Sequence, residues 1–276
     1  MQSLSERVSA RTGYRLVGDL AWNWCLSHDQ PREHPTAVWT DGAGGEVLAW
    51  GWLELPDGLM LQVDPGHPAL AGEVLAWAEG IAPGVLNVEV CQTETVLVDA
   101  LVRRGYAPKD GPFMVCLGRS LATPPEKVEL PPGYLLRGLD GPEDVERRAA
   151  VHRAAFGSTR VTGARHARMM RTWPYDPGFD LVVEAPDGEF AAYCQGWYDQ
   201  VNRTGEFEPV GTHPDHRRRG LSRAVCVAVL HAFAAAGGER AVVYARGDDA
   251  YPVPKRLYES MGFTVRARTL TYTRPV

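Results

Sequence analysis

The stretch that decides the fold runs from Thr212 to Ser222 and reads Thr-His-Pro-Asp-His-Arg-Arg-Arg-Gly-Leu-Ser. A segment that ends in proline leads into a loop of arginines and a glycine, and apolar residues at helical spacing follow from Leu221 to Phe233. Glycine lets a backbone approach a ligand closely, and the positive end of the following helix favours an anion. Arginines add charge and forked donors. The stretch therefore predicts a phosphate-binding loop that opens a helix.

The residues around this loop predict an alternation of strands and helices. Residues 206–212 are extended, and Pro209 and Gly211 within them indicate a locally splayed or bulged strand. After the helix, residues 239–246 have the β-branched and aromatic centre of a strand, and residues 255–261 form a short helix. The predicted order is strand, phosphate loop, helix, strand, helix.

Two motifs in this order resemble those of the GNAT superfamily, the Gcn-type N-acetyltransferases. Arg217-x-x-Gly220-x-Ser222 is similar to its Gln/Arg-x-x-Gly-x-Gly/Ala signature, and Leu257-Tyr258-x-x-x-Gly-Phe is similar to the segment that closes GNAT domains. The chain departs from the family at Ser222, and at Tyr251, where an asparagine is common. The resemblance implies acetyl-CoA as a co-substrate, held through its pyrophosphate by the loop.

The same resemblance implies that free amides of the splayed strand bind the pantetheine arm and polarise the acetyl carbonyl. The residues assigned to the coenzyme are Val210, Gly211, Thr212, Arg217, Arg218, Arg219, Gly220, Leu221 and Ser222. No metal is expected, because the pair His213 and His216 lies inside the phosphate loop without a cysteine or carboxylate set beside it.

Candidate catalytic residues follow from the chemistry of amine acetylation. An amine must be neutral to attack a thioester, so the site needs a proton acceptor, directly or through water. Glu206 and Glu208 share one face of the extended segment, and either could be the base or an exposed strand residue. The family position of the base slightly favours Glu206, whereas Glu208 is nearer the thioester. By the same resemblance Tyr258 is the candidate general acid, with a packing role as the alternative.

An internal duplication determines the predicted architecture. Residues 119–134 carry two Pro-Pro pairs and have the composition of a linker, and each side repeats the same order of strands and helices. The first half lacks the motifs: Pro68, Ala71 and Glu73 stand where the second half has its loop residues, and Leu101 stands where it has the tyrosine.

The chain therefore resembles the tandem, mycothiol synthase-like GNAT proteins. The expected fold class is α/β (α+β), with two GNAT-like domains, each a mixed, mostly antiparallel twisted sheet flanked by helices and containing a splayed central strand pair. We expect a degenerate domain at residues 1–122, a linker at 123–133, and an acetyl-CoA-binding catalytic domain at 134–276.

Composition limits the partners. The formal net charge of −5, from 29 basic and 34 acidic residues, disfavours nucleic acid. Five cysteines without a Cys-x-x-Cys pair suggest reduced thiols in a cytoplasm, and neither an apolar signal core nor a membrane span is evident. A monomer or a homodimer is expected.

The predicted function is N-acetyl transfer from acetyl-CoA to a primary amine of a small molecule or peptide. A noncatalytic acyl-CoA-binding or regulatory protein is the alternative. A peptide, an amino sugar, a polyamine and a cysteinyl thiol precursor all fit as acceptors, and residues 157–175 are expected to line their cleft. Trp197, Tyr198 and Asp199, with the two glutamates, would suit a cationic amine, although burial in the core is the commoner explanation for the aromatics.

Overall fold

The computed structural model of the protein describes residues 1–27 and 34–274. Its helices are α1 (Gln2–Thr12), α2 (Val17–Ser27), α3 (Leu70–Ile81), α4 (Thr95–Arg103), α5 (Pro142–Phe156), α6 (Gly163–Met169), α7 (Leu221–Ala235) and α8 (Val253–Glu259). Its strands are β1 (Thr36–Thr40), β2 (Val47–Glu54), β3 (Gly58–Val63), β4 (Asn87–Cys91), β5 (Ala107–Lys109), β6 (Met114–Ser120), β7 (Leu135–Arg137), β8 (Asp180–Glu184), β9 (Phe190–Asp199), β10 (Thr204–Thr212), β11 (Arg240–Arg246) and β12 (Thr264–Thr273).

The strands form one sheet that runs through the whole described chain. Its order is β1-β2-β3-β4-β12-β6-β11-β10-β9-β8-β7, and β5 pairs with β12 beside this path. Two neighbouring pairs are parallel, β3 with β4 and β10 with β11, and the remaining pairs are antiparallel. The mixed, mostly antiparallel sheet with flanking helices confirms the predicted fold class.

The two halves exchange their last strands. β6 belongs to the first half of the chain but lies between β11 and β12, while the distal part of β12, from Thr269 to Thr273, pairs with β4 of the first half. Each half of the sheet is thus completed by a strand of the other half. The division at residues 123–133 stays a prediction, and the segment there runs along α7, where the His231 ring is hydrogen-bonded to the Pro125 carbonyl at 2.8 Å.

Separate cores form on the two sides. In the first half, α3 and α4 cover β2 to β4 with a cluster that includes Leu61, Val74 and Leu101. In the second half, α7 lies across β8 to β11 through Val225, Val229 and other buried residues. Burial of this apolar surface stabilises both halves and fixes the strands that carry the site.

The start of α5 agrees with the sequence in detail. The helix begins at Pro142, whose fixed φ suits a first helical position, and Glu143 and Asp144 lie in the first turn, near its positive end. It ends at Gly157, whose φ of +61° forms a left-handed cap. α6 is short and ends at Met169.

Two further properties concern the cysteines and the length of the apolar helices. All five cysteines are free and buried. Within residues 1–27 and 34–274, no helix is both long enough and apolar enough to span a bilayer.

Candidate active site

A wedge-shaped gap opens between β10 and β11 in the second half of the sheet. The two strands pair only over residues 204–207 of β10 and 240–243 of β11, whereas β10 continues to Thr212 beside β9 alone. A bulge between Phe207 and Val210 bends β10 at the point where the pairing ends. The edge of β10 that faces β11 beyond Phe207 is therefore free of ladder hydrogen bonds. This geometry confirms the expected splay.

The loop that follows β10 is open to solvent and is shaped for an anion. Gly220 has a φ of +78°, and a β-carbon built there would have no atom within 4 Å beyond its own neighbours. α7 begins at the next residue, so the first amides of that helix, at Leu221 and Ser222, lack intrahelical acceptors. Free amides at a helix start beside open space form a phosphate cradle.

Three arginines surround this cradle. Arg217 donates through Nη2 to the carbonyl oxygen of Ala155 at the end of α5, at 3.2 Å, and Arg219 donates through Nη1 to the Tyr134 hydroxyl at 3.0 Å. Arg218 is exposed and has a φ of +60°. The contacts of Arg217 and Arg219 hold the loop against the rest of the second half while their charges remain at the mouth.

Ser222, the departure from the family signature, is engaged within the protein. Its hydroxyl forms a hydrogen bond with that of Thr212, which joins the first turn of α7 to the end of β10. The two histidines of the loop also have protein partners: His213 accepts from the Asp215 amide at 3.3 Å, and His216 is bonded to the Tyr134 hydroxyl at 2.9 Å. Within the described ranges, no group of three potential metal ligands comes together.

Glu206 and Glu208 lie beside the wedge in different environments. Glu206 is 2% exposed, and neither of its carboxylate oxygens has a hydrogen bond of good geometry. Burial, followed by the charges of Asp19 and Glu208, raises the pKa of Glu206 well above its ordinary value. Glu208 is half-buried, and burial, with a contribution from Asp19, raises its pKa to about 8. Carboxyl groups whose pKa values are raised in this way are suited to proton transfer near neutral pH.

A segment of the first half, which the sequence did not point to, completes this region. Gly18, in the first turn of α2, packs directly on Glu206 and on the Trp197 ring. The next residue, Asp19, has a pKa raised to about 6, because burial outweighs the attraction of Arg15. In the sequence, only the glycine itself could have indicated this contact. Glycine destabilises the interior of a helix, so its presence there suggests that close packing requires it.

Tyr258 lies at the apex of the wedge. Its ring centroid is 6.4 Å from that of Phe207, the last residue of β10 that pairs with β11, and 6.0 Å from that of Phe263. Burial, followed by two buried thiols and the Glu208 carboxylate, raises the pKa of Tyr258 well above its ordinary value. Its hydroxyl is therefore protonated at neutral pH.

The predicted acceptor segment contributes to a buried polar network. His166 of α6 lies 3.3 Å from Asp180, Arg148 of α5 donates to the same carboxylate at 3.0 Å, and the Tyr175 hydroxyl donates to it at 3.3 Å. Asp180 is fully buried, and burial alone would raise its pKa, but Arg148 and His166 outweigh it and lower the pKa to about 2. These partners keep it ionised and fix α5 and α6 on the sheet.

Trp197, Tyr198 and Asp199, which were expected to suit a cationic amine, do not line one pocket. Trp197 packs on the face of the sheet that carries α2, whereas Tyr198 packs with Phe233 of α7 on the opposite face and donates to the Ala236 carbonyl at 3.2 Å. Asp199 accepts from the amide of Asn202 at 2.9 Å and so closes a turn. Adjacent strand residues point to opposite faces, so the alternative, that these aromatics are core residues, holds.

A parallel strand pair that splays beside an arginine and glycine loop is the arrangement of the GNAT class of acetyltransferases. Residues 151–263 match the family model described as "Acetyltransferase (GNAT) family". The chain is 30% identical over 296 residues to a mycothiol acetyltransferase of Beutenbergia cavernae, covering 99% of this chain and 94% of the relative. It is 27% identical over 248 residues to that of Thermobispora bispora, covering 84% and 81%.

Solved structures share the fold over nearly the whole chain. A tandem GNAT protein from the clavulanic acid biosynthesis pathway superposes with a TM-score of 0.68 and 15% identity, covering 98% of this chain and 92% of that one. A GCN5-related N-acetyltransferase from Sphaerobacter thermophilus gives a TM-score of 0.65 and 19% identity, covering 99% and 90%. The chain belongs to the GNAT family and is an acetyltransferase, which confirms the resemblance to tandem GNAT proteins.

Proposed function

We propose that the protein transfers an acetyl group from acetyl-CoA to a primary amine of a small molecule or peptide by direct attack. The observation that carries this proposal is the wedge between β10 and β11. One of its ends opens towards the Gly220 loop, Glu206 and Glu208 lie on β10 where the pairing with β11 ends, and Tyr258 packs against Phe207, which lies between them. A coenzyme extended along the wedge would have its phosphates at the first end and its thioester at the second.

The residues of the loop and of β10 fit the coenzyme. Amides at the start of α7 and the charges of residues 217–219 would hold the diphosphate, and the unpaired edge from Val210 to Thr212 would hold the pantetheine arm. Acetyl-CoA, when bound, supplies the activated acyl carbonyl. The β10 amides would polarise that carbonyl because they lack ladder partners.

Proton transfer is assigned to the groups at the apex. Glu206 or Glu208 takes the proton of the attacking amine, directly or through a water molecule. The new C–N bond forms as the C–S bond breaks, and Tyr258 gives its proton to the departing sulfur. The protonated glutamate and the tyrosinate then return to their starting states through solvent. Each side chain thus begins the reaction in the protonation state that it regains at the end.

The names of the relatives bear on the choice of acceptor. Several are named mycothiol acetyltransferases, which supports a small-molecule amine over a protein substrate and places the cysteinyl thiol precursor first among the candidates. The amino sugar, the polyamine and the peptide remain alternative acceptors.

The test is release of coenzyme A with a panel of primary amines: a cysteinyl thiol precursor, an amino sugar, a polyamine and a short peptide. We expect turnover with at least one of them, and a loss of about 10²-fold or more in Glu206→Gln or Glu208→Gln, whichever carries the base. Glu239→Gln, an exposed carboxylate at the end of the turn before β11, is the matched control. Saturable binding of acetyl-CoA without turnover on any amine would instead identify a noncatalytic acyl-CoA-binding protein.

A further inference from the structure

The indole of Trp197 lies against one of the two glutamates of the candidate site. Trp197 faces Glu206 across the β9–β10 ladder, so the two side chains point to the same face of the sheet. A β-carbon on Gly18 would lie 2.5 Å from Oε2 of Glu206 and 2.5 Å from Cγ of Trp197. The carboxylate and the indole therefore lie side by side beneath the start of α2.

The same indole binds the backbone of the other glutamate. Glu208 and Pro209 form the bulge of β10 and stand opposite a single residue of β9, Gln195, so the ladder is interrupted there. Pro209 has no amide hydrogen, so the ladder cannot hold the bulge through that residue. Trp197 donates through Nε1 to the carbonyl oxygen of Glu208 at 2.6 Å. A side chain thus supplies a hydrogen bond at the point where β10 bends.

Packing leaves this indole little freedom to move. Trp197 is 1% exposed, and its ring meets the Tyr175 ring edge-on with the centroids 6.4 Å apart. Ala21 of α2, Ala149 of α5 and Met169 of α6 belong to the same buried cluster. A side chain that is locked by packing and hydrogen-bonded to a strand can hold that strand in one conformation.

We propose that Trp197 is a positioning residue of the active site, which supports the Glu206 carboxylate with its ring and fixes the β10 bulge through its N–H. The bulge in turn sets the direction of the Glu208 side chain and of the free edge from Val210 to Thr212. The catalytic consequence rests on the proposed function, whereas the hold on the bulge does not. The two are therefore tested separately.

The hold on the bulge is tested by amide hydrogen exchange of the full chain without ligand. Trp197→Phe keeps an aromatic ring and removes the N–H, so exchange across residues 204–212 should become about tenfold faster or more. Trp50→Phe is the matched control, because Trp50 is also buried and donates through Nε1 to Oε1 of Gln62, in the first half, at 3.2 Å. This control should leave exchange across residues 204–212 unchanged.

A measurement on the parent protein decides the same point if Trp197→Phe does not fold. With isotope-labelled indoles, the Trp197 N–H should exchange slowly with solvent and show a nuclear Overhauser contact with the α-protons of Gly18. Its resonance should shift on addition of acetyl-CoA, because the carbonyl that it binds lies two residues before Val210. The Trp50 resonance should stay in place.

The catalytic consequence is measured on the best amine of the panel. In Trp197→Phe, kcat should fall about tenfold or more, because a displaced base loses its alignment with the amine. The KM for the amine should change much less than kcat, since the indole acts on the base. Trp50→Phe should keep the parental kcat.

Unchanged exchange across residues 204–212 in Trp197→Phe, or a kcat equal to that of Trp50→Phe, would overturn the inference. An indole N–H of Trp197 that exchanges freely and does not respond to acetyl-CoA would also contradict it. A merely structural role would speed exchange throughout the second half and leave the kcat of the folded protein unchanged, and that pattern counts against the proposal. If no amine is acetylated, the proposed function fails, and the exchange pattern still decides whether Trp197 holds the bulge.

Discussion

Replacement of Gly220 by glutamate tests the phosphate cradle with a built-in control for backbone strain. Gly220 has a φ of +78°, and Gly188, in the turn between β8 and β9, has a φ of +88°; a β-carbon would meet no other atom within 4 Å at either site. A non-glycine residue in this region costs roughly 1–2 kcal/mol. Gly220→Glu and Gly188→Glu should therefore lose similar amounts of stability.

The two variants should differ in coenzyme affinity. A glutamate at the mouth of the cradle would bring its charge to about 5 Å from a diphosphate with about two negative charges. At an effective dielectric of about 40, their repulsion is about 3 kcal/mol, which corresponds to roughly a hundredfold in Kd. Gly220→Ala separates the effect of backbone strain from that of charge repulsion. It introduces the strain without the charge and should lose much less affinity than Gly220→Glu.

The assay is titration calorimetry with acetyl-CoA at two salt concentrations. The loss in Gly220→Glu should shrink at the higher concentration, since the site is exposed and its charges are screened. Unchanged affinity in Gly220→Glu, or an equal loss in Gly188→Glu, would refute the assignment of the diphosphate to this loop.

Two further predictions concern the apex of the wedge. Tyr258→Phe should lower turnover far more than affinity for acetyl-CoA, because only the proton donor is removed; steady-state kinetics beside calorimetry measure this, and full turnover in the variant would remove the acid role. Gly18→Ala should be destabilising by about 1–3 kcal/mol through overpacking against Glu206, whereas Gly80→Ala, in the open on α3, should gain about 0.5–1 kcal/mol. Denaturant unfolding compares the two, and equal stabilities would contradict the close contact.

The second half was predictable from its local sequence because each element carries its own signals. α5 occupies residues 142–156, between a proline at its first position and a glycine that follows it. α7 begins directly after the glycine of the loop, and the bulge of β10 falls at the predicted proline. Periodicity and turn residues act over a few positions, which is the range that a sequence pattern can report.

Other features depend on contacts between distant segments and left no local trace. The exchange of β6 and β12 joins strands of different halves, and either strand would have the same alternating pattern in its own half. The opposite orientations of Trp197 and Tyr198 follow from strand alternation, but the sequence does not say which face meets the substrate. The position of Gly18 depends on how one half packs on the other.

The strand exchange gives the first half a structural role in the second, although its sequence lacks the residues of the Gly220 loop. Without β6, the second half would have an unpaired edge at β11, and β12 would lose the neighbour that joins it to this part of the sheet. Exposed strand edges are templates for aggregation, so the pairing of this edge by β6 is a role of the first half that does not depend on coenzyme binding. The first half has Pro68 and Glu73 at the positions that match the loop, while its β6 and the start of its α2 contact the second half. The first half is therefore a structural part of the sheet that carries the candidate site, and substitutions at its contacts with the second half should lower activity more than substitutions of Pro68 or Glu73.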